Sequence, residues 1–150
     1  MCGIIGIVGN KPVAERLVDG LRRMEYRGYD SAGVCTIHEG ALVRRRAEGK
    51  LNNLIAELAD NPAPGEIGIA HTRWATHGAP TAKNAHPHAT EHVALVHNGI
   101  IENFKELRAE LRDAGRTLES DTDSEVVAHL VSELVENGRS PQEAVADVLP

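Results

Sequence analysis

A cysteine stands second in this chain, in Met1-Cys2-Gly3-Ile4-Ile5-Gly6-Ile7-Val8. Removing one methionine leaves a thiol and a free α-amino group on the same residue. A thiol titrates at about 8.5 and an α-amine at about 7.7–8.0. Near physiological pH part of the amine is therefore neutral and can take the proton of its own thiol, directly or through a water. Nucleophile and general base then share one residue, as where an N-terminal amine activates a Thr. Taken alone, Cys2 fits better as a small buried thiol near the start of an ordinary first strand.

Further polar groups cluster downstream. His71-Thr72-Arg73-Trp74-Ala75-Thr76-His77-Gly78 opens a long irregular stretch, Thr72 to Glu91, that carries the only Trp of the chain. Structureless loops of that length in a compact domain are usually functional. Arg73 could simply stack on the Trp74 ring. It could also fork onto a substrate carboxylate, a geometry that suits guanidinium better than ammonium. His97-Asn98-Gly99 follows an apolar segment. Asn-Gly is a turn signal, but a side-chain amide beside a glycine N–H also makes a two-donor oxyanion hole. Asp121-Thr122-Asp123-Ser124-Glu125 begins a helical pattern. Acids there suit the helix dipole, and one of them could hold a substrate ammonium.

The elements that must position these groups alternate. Gly3 to Val8 is a continuous apolar run, the pattern of a strand buried on both faces. Pro12 starts a helical stretch with Val13, Leu17, Leu21 and Met24 on one stripe. Ala32 to His38 and Ala41 to Ala47 read as a hairpin around Glu39-Gly40. Leu51, Leu54, Ile55 and Leu58 mark a short amphipathic helix, ended by Asn61-Pro62-Ala63-Pro64-Gly65. Ile67 to His71 and His92 to His97 are predicted strands. Glu102 to Ala114, stopped by Gly115, and Ser124 to Glu136 are predicted helices. Ser140-Pro141-Gln142-Glu143 has the composition of a capping box with Pro at the first helical position. The helix it starts has few residues before the chain stops, so a domain cut before completion is expected.

The 150 residues suit one domain with a real core. With 41% hydrophobic residues the chain is not expected to be disordered. A net charge of −6 argues against nucleic acid and anionic membrane as partners, and Arg44-Arg45-Arg46 is too short a run to alter that. There is neither an apolar stretch of membrane-spanning length nor a basic region ahead of an apolar one. A cytoplasmic protein is expected. Cys2 and Cys35 form no disulfide framework, and that compartment keeps both reduced.

Six strings occur in order: the Cys2-Gly3-Ile4 start, Arg27-Gly28-Tyr29-Asp30-Ser31-Ala32-Gly33, His71 to Gly78, Asn84-Ala85-His86-Pro87-His88, His97-Asn98-Gly99-Ile100-Ile101-Glu102-Asn103, and Ser120-Asp121-Thr122-Asp123. Together they resemble the class II glutamine amidotransferases, which belong to the N-terminal nucleophile hydrolases. The wording of Trp74 to Gly78 and Asn84 to His88 is similar to the hexosamine-forming branch. The resemblance implies an α+β fold, a four-layer αββα sandwich of two antiparallel sheets, here incomplete at its C-terminus. It implies L-glutamine as substrate, no cofactor, and Cys2 as nucleophile. Asn98 and Gly99 match the oxyanion hole, Arg73 the partner of the substrate α-carboxylate, and Asp123 that of its α-ammonium. Trp74, Thr76 and His77 lie on the loop that closes over glutamine in this family, and Arg27 sits near the nucleophile as a possible helper.

In that branch the glutaminase domain is joined to a sugar-phosphate isomerase domain that consumes the ammonia, and the full-length enzyme is a homodimer. The isomerase domain is absent from these residues. The alternatives are a phosphoribosyl-transferring or asparagine-forming relative, or a non-catalytic fragment that binds a partner domain. Eight histidines, with His86 and His88 at i, i+2, raise metal binding as a different class. Neither a Cys pair nor an HExxH pattern accompanies them, so no metal is expected.

Overall fold

The computed structural model describes residues 2–149. Met1, whose removal the one-residue mechanism requires, and Pro150, where the last helix was expected to be cut, lie outside them.

Four strands form one antiparallel sheet in the order β1 (Gly3–Val8), β4 (Ile67–Arg73), β2 (Ser31–His38), β3 (Ala41–Glu48). The hairpin expected around Glu39-Gly40 is present, with His38 opposite Ala41. Helices α1 (Ala14–Arg22) and α2 (Leu51–Asp60) cover one face of the sheet. Their apolar stripes, including Leu17, Leu21, Leu51 and Leu54, meet Val34 and Ala70 in the main core. Burying each such side chain fully stabilises the fold by about 1.5–3 kcal/mol.

Strand β1 departs from its expectation. It is buried on one face only: Ile5 and Ile7 pack against the core, whereas Ile4 and Val8 point away and are exposed, Val8 by 83%. An edge position with helices on a single side leaves every second residue uncovered, although the composition is apolar throughout. Strand β4 runs two residues further than predicted. Thr72 and Arg73 complete its ladder, pairing with Ala32 and Ser31.

On the other face of the sheet lies a second, two-stranded antiparallel ladder, β5 (His88–Ala89) with β6 (Ala94–Leu95). The strand predicted over His92 to His97 is thus reduced to two residues. The layers approach closely where the His86 carbonyl lies over Gly33 of β2. A Cβ built on Gly33 would sit 2.2 Å from that oxygen, so the position requires glycine. Arg46 of β3 locks the same contact, donating to the carbonyls of Lys83 (2.8 Å) and Ala85 (3.2 Å) and to Glu119 (2.6 Å).

Helix α4 (Glu125–Glu136) packs on β5, with α3 (Phe104–Asp113) and α5 (Pro141–Val148) beside it. The capping box at Ser140 forms in full. Helix, sheet, ladder and helix therefore stack as four layers, although the second sheet is small among the described residues. No described helix is long and apolar enough to cross a membrane.

Candidate active site

Cys2 stands immediately before β1, the edge strand paired with β4. The end of β4 therefore lies beside it, and the Trp74 backbone N–H donates to Cys2 Sγ at 3.3 Å. A donor aimed at the sulfur suits a nucleophile that must carry negative charge as it attacks. The Trp74 ring is 54% exposed and lies over Gly28, where a Cβ would come within 2.8 Å of Cζ3. Gly28 has φ +72°, so any other residue there would be strained as well as blocked.

The segment after β4 is held at its root by Asp30. Its carboxylate accepts the Ala75 N–H at 2.5 Å, and its own N–H donates to the Arg73 carbonyl at 2.8 Å. Arg73, 4% exposed, turns its guanidinium to the carbonyls of His77, Gly78 (3.2 Å) and Ala79 (3.3 Å). Burial depresses its pKa, while Asp30, Cys2 and Asp123 act the other way. A guanidinium carries five N–H donors, and these bonds leave donors for a ligand.

Opposite, the residues after β6 meet the turn before α4. Asp123 is buried, and its carboxylate accepts the Ile101 N–H at 2.8 Å. Ser124 Oγ lies 3.0 Å from His97 Nδ1 and 3.4 Å from Asp123 Oδ1. The turn is fixed from behind by Glu125, whose carboxylate accepts the Glu119 N–H, the Ser120 N–H and the Ser120 hydroxyl, each at 2.7 Å. Burial pushes the Glu125 carboxyl up, but the His129 ring 3.7 Å away and the bonds from Ser120 and the backbone outweigh it and hold the group well below the usual carboxylate range.

These pieces enclose a cavity of about 260 Å³. Its lining brings together seven of the residues singled out in the sequence: Cys2, Arg73, Trp74, Thr76, Asn98, Gly99 and Asp123. His77 and Arg27 are not among the lining residues. The His77 ring packs edge-on against Phe104 at 5.4 Å, and the Arg27 guanidinium lies 5.6 Å from the centroid of the Tyr26 ring. His86, His97, Ile100, Thr122 and Ser124 line the cavity without having been assigned there. Asp30 and His86 stand inside the quoted motifs, so the signal was present but unattributed. Glu125 reads as a helix-dipole acid, and nothing local marks it as buried.

A model of the glutamine amidotransferase domain matches residues 59–141, a span that takes in Arg73, Asn98 and Asp123. The chain is 66% identical over 149 residues to glutamine–fructose-6-phosphate aminotransferase [isomerizing] of Zymomonas mobilis subsp. mobilis, covering 99% of this chain and 24% of that protein. It is 65% identical to the Brucella suis protein of the same name, covering 100% of this chain and 25% of that one. The chain thus spans about a quarter of the length of the curated relatives it matches. Among solved structures, it superposes on glutamine phosphoribosylpyrophosphate amidotransferase from B. subtilis with a TM-score of 0.79 over 99% of this chain and 32% of that one. At 24% identity that likeness concerns the fold, which is that of the N-terminal nucleophile amidotransferases. A domain match over more than half of the chain, around the residues that shape the cavity, leaves one assignment: the chain belongs to the glutamine amidotransferase family.

Proposed function

We propose that this chain carries out the glutaminase half-reaction, hydrolysing L-glutamine to L-glutamate and ammonia, as the N-terminal part of the glutaminase domain of a larger protein. The observation that carries the reading is the convergence of a thiol, a buried guanidinium and a buried carboxylate on one cavity: Cys2, Arg73 and Asp123. A zwitterionic amino acid needs one cation for its carboxylate and one anion for its ammonium. At about 260 Å³ the cavity falls just below the range typical of drug-sized ligands, as a single amino acid requires.

In this reading Arg73 pairs with the α-carboxylate and Asp123 with the α-ammonium, which places the side-chain amide at Cys2. The α-amine of Cys2 takes the thiol proton, and Sγ bonds to the amide carbon. The carbonyl oxygen, now negative, is held by the Asn98 side-chain amide and the Gly99 N–H. The C–N bond then breaks, and its nitrogen leaves as ammonia with the proton held by the α-amine. Water attacks the resulting thioester with the same amine as base, releasing glutamate and restoring the thiol. Trp74, Thr76 and His77 belong to the segment that covers the substrate, and Arg27, next in sequence to the Gly28 that the Trp74 ring covers, is the possible helper.

Identity of 66% to the fructose-6-phosphate enzyme, against 24% to the phosphoribosyl enzyme, favours the hexosamine-forming branch. In the larger, cytoplasmic and dimeric protein the ammonia passes to an isomerase domain and reaches fructose 6-phosphate. The test is release of glutamate from glutamine by chain of verified N-terminal mass. Activity in the form beginning at Cys2, lost in Cys2→Ala, is the expected outcome. Equal activity in chain that retains Met1 would overturn the one-residue mechanism.

A further inference from the structure

His86 lines the cavity but has no part in the half-reaction as written. It is 4% exposed, and neither ring nitrogen has a hydrogen-bond partner among the described residues. The ring is held between the rings of His71 and His88, at 4.3 Å from each. In the native arrangement its backbone is held in place: the His86 carbonyl lies over Gly33, and Arg46 donates to the carbonyls of Lys83 and Ala85. A neutral imidazole has one donor and one acceptor, and leaving such a group unpaired in the interior is unfavourable. A group so fixed, with no partner among the described residues, finds its partner in what enters the cavity.

The ionisable groups facing His86 are His71 and Arg73 from β4, His88 from β5, and His97 from the segment after β6. Burial, then these neighbours, depress its pKa strongly, so the ring is neutral at working pH. The same burial and the same Arg73 charge disfavour an ammonium ion beside it. Asp123, the acid of the cavity, is engaged by the substrate α-ammonium in the reading above.

We infer that His86 receives the departing amide nitrogen and holds it as neutral NH3. The inference rests on the glutaminase reading. When the C–N bond breaks, its electron pair stays with nitrogen, which also takes the proton carried by the Cys2 α-amine. The product is uncharged, and one of its N–H groups donates to the unprotonated nitrogen of His86. Unprotonated ammonia keeps the lone pair that a later acceptor carbon needs.

Two measurements test this. In the Cys2→Ala chain, with ¹⁵N-labelled histidine and L-glutamate bound, ammonium chloride is added at fixed total concentration while the pH is raised, with potassium chloride as control. The His86 ring signals are expected to move in proportion to the unprotonated fraction and to ignore potassium. A shift that follows total ammonium, or none, overturns the proposal. In the active chain, γ-glutamyl methyl ester forms the thioester, and added ammonia competes with water for it. The ratio of glutamine to glutamate formed does not depend on how much protein is folded. His86→Leu is expected to lower that ratio about fivefold, the loss of one neutral hydrogen bond, with His86→Gln recovering part of it. An unchanged ratio, or equal loss of both products, overturns the assignment to ammonia. If the unaltered chain turns over neither glutamine nor ester, the glutaminase reading fails, while the histidine signals still report whether His86 binds ammonia.

Discussion

Cys2 and Cys35 differ in setting more than in chemistry. Cys2 is partly accessible and faces the cavity, whereas Cys35 is buried in β2. Burial pushes the Cys35 thiol up to about 11, with Arg44 opposing only in part. At neutral pH iodoacetamide is therefore expected to label Cys2 alone, as intact mass and peptide mapping would show. Cys35→Ala should largely spare glutamine hydrolysis; preferential labelling of Cys35 would contradict the assignment. Among the polar residues, Asn98 would act where charge develops, so Asn98→Ala is expected to lower kcat by about 10²–10³. Arg73 and Asp123 would contact groups that keep their charge through the reaction, so alanine there should act mainly on KM. Arg73→Ala also releases the carbonyls of His77 to Ala79, and some loss of kcat should follow from the disordered segment. A raised KM with intact kcat in Asn98→Ala would remove it from the oxyanion role.

At the scale of elements, the sequence was most legible where periodicity and burial agree. Strands β1 to β3 and helices α2 to α4 fall within two residues of their predicted ends because apolar spacing and turn residues mark both limits. The hydropathy pattern ends β4 at His71 because Thr72 and Arg73 are polar, yet both are buried and paired in the sheet. A site residue anchored in a strand looks like loop when hydropathy is the signal. The ladder β5–β6 was illegible for the opposite reason: two-residue strands have no period, and side chains such as Arg46 and Asn84 hold the region instead. The turn before α4 depends on Glu125 in the same way. Glu125→Ala leaves three donors without their acceptor, and a loss of about 2–4 kcal/mol is expected in urea unfolding. Its second signature is a raised KM for glutamine with a smaller change in kcat, because the turn carries Asp123. A stability loss without any KM change would separate Glu125 from the site.

Across the whole molecule, stability should fall with acid earlier than carboxylates alone would cause. Burial holds His71 down to about 4, with the Arg73 charge adding to the effect, and lowers His86 and His88 further. A histidine whose folded pKa lies below its unfolded value leaves the unfolded state binding more protons between the two. Stability is therefore complete above about pH 6.5 and declines as pH falls toward 4, by up to about 1.4 kcal/mol per pH unit for each such group. Glu125, also depressed, adds a loss only at lower pH. Urea midpoints between pH 7 and 5 should show this slope, and His88→Gln should reduce it by about one proton. Ile4, Val8, Ile37 and Ile67 expose an apolar patch on the sheet face away from α1 and α2. A hydrophobic dye is expected to bind the native chain there, and Ile4→Ser with Val8→Ser should weaken that binding.

Arg46 joins parts of the chain that are remote in sequence: β3, the carbonyls before His86, and Glu119 before the turn at Asp123. Consider what that implies for amide exchange with solvent. The sheet and its two helices share one apolar core and should open only with global unfolding, so their amides exchange slowest. Residues 74–103 have short ladders and side-chain ties, and they should open locally at lower free energy. Both walls of the cavity hang on that weaker unit, and Arg46 fixes its opening frequency. Arg46→Lys keeps the charge but loses the fork, so it should speed exchange across 83–89 and 119–123 together while the amides of β1 and β4 stay protected.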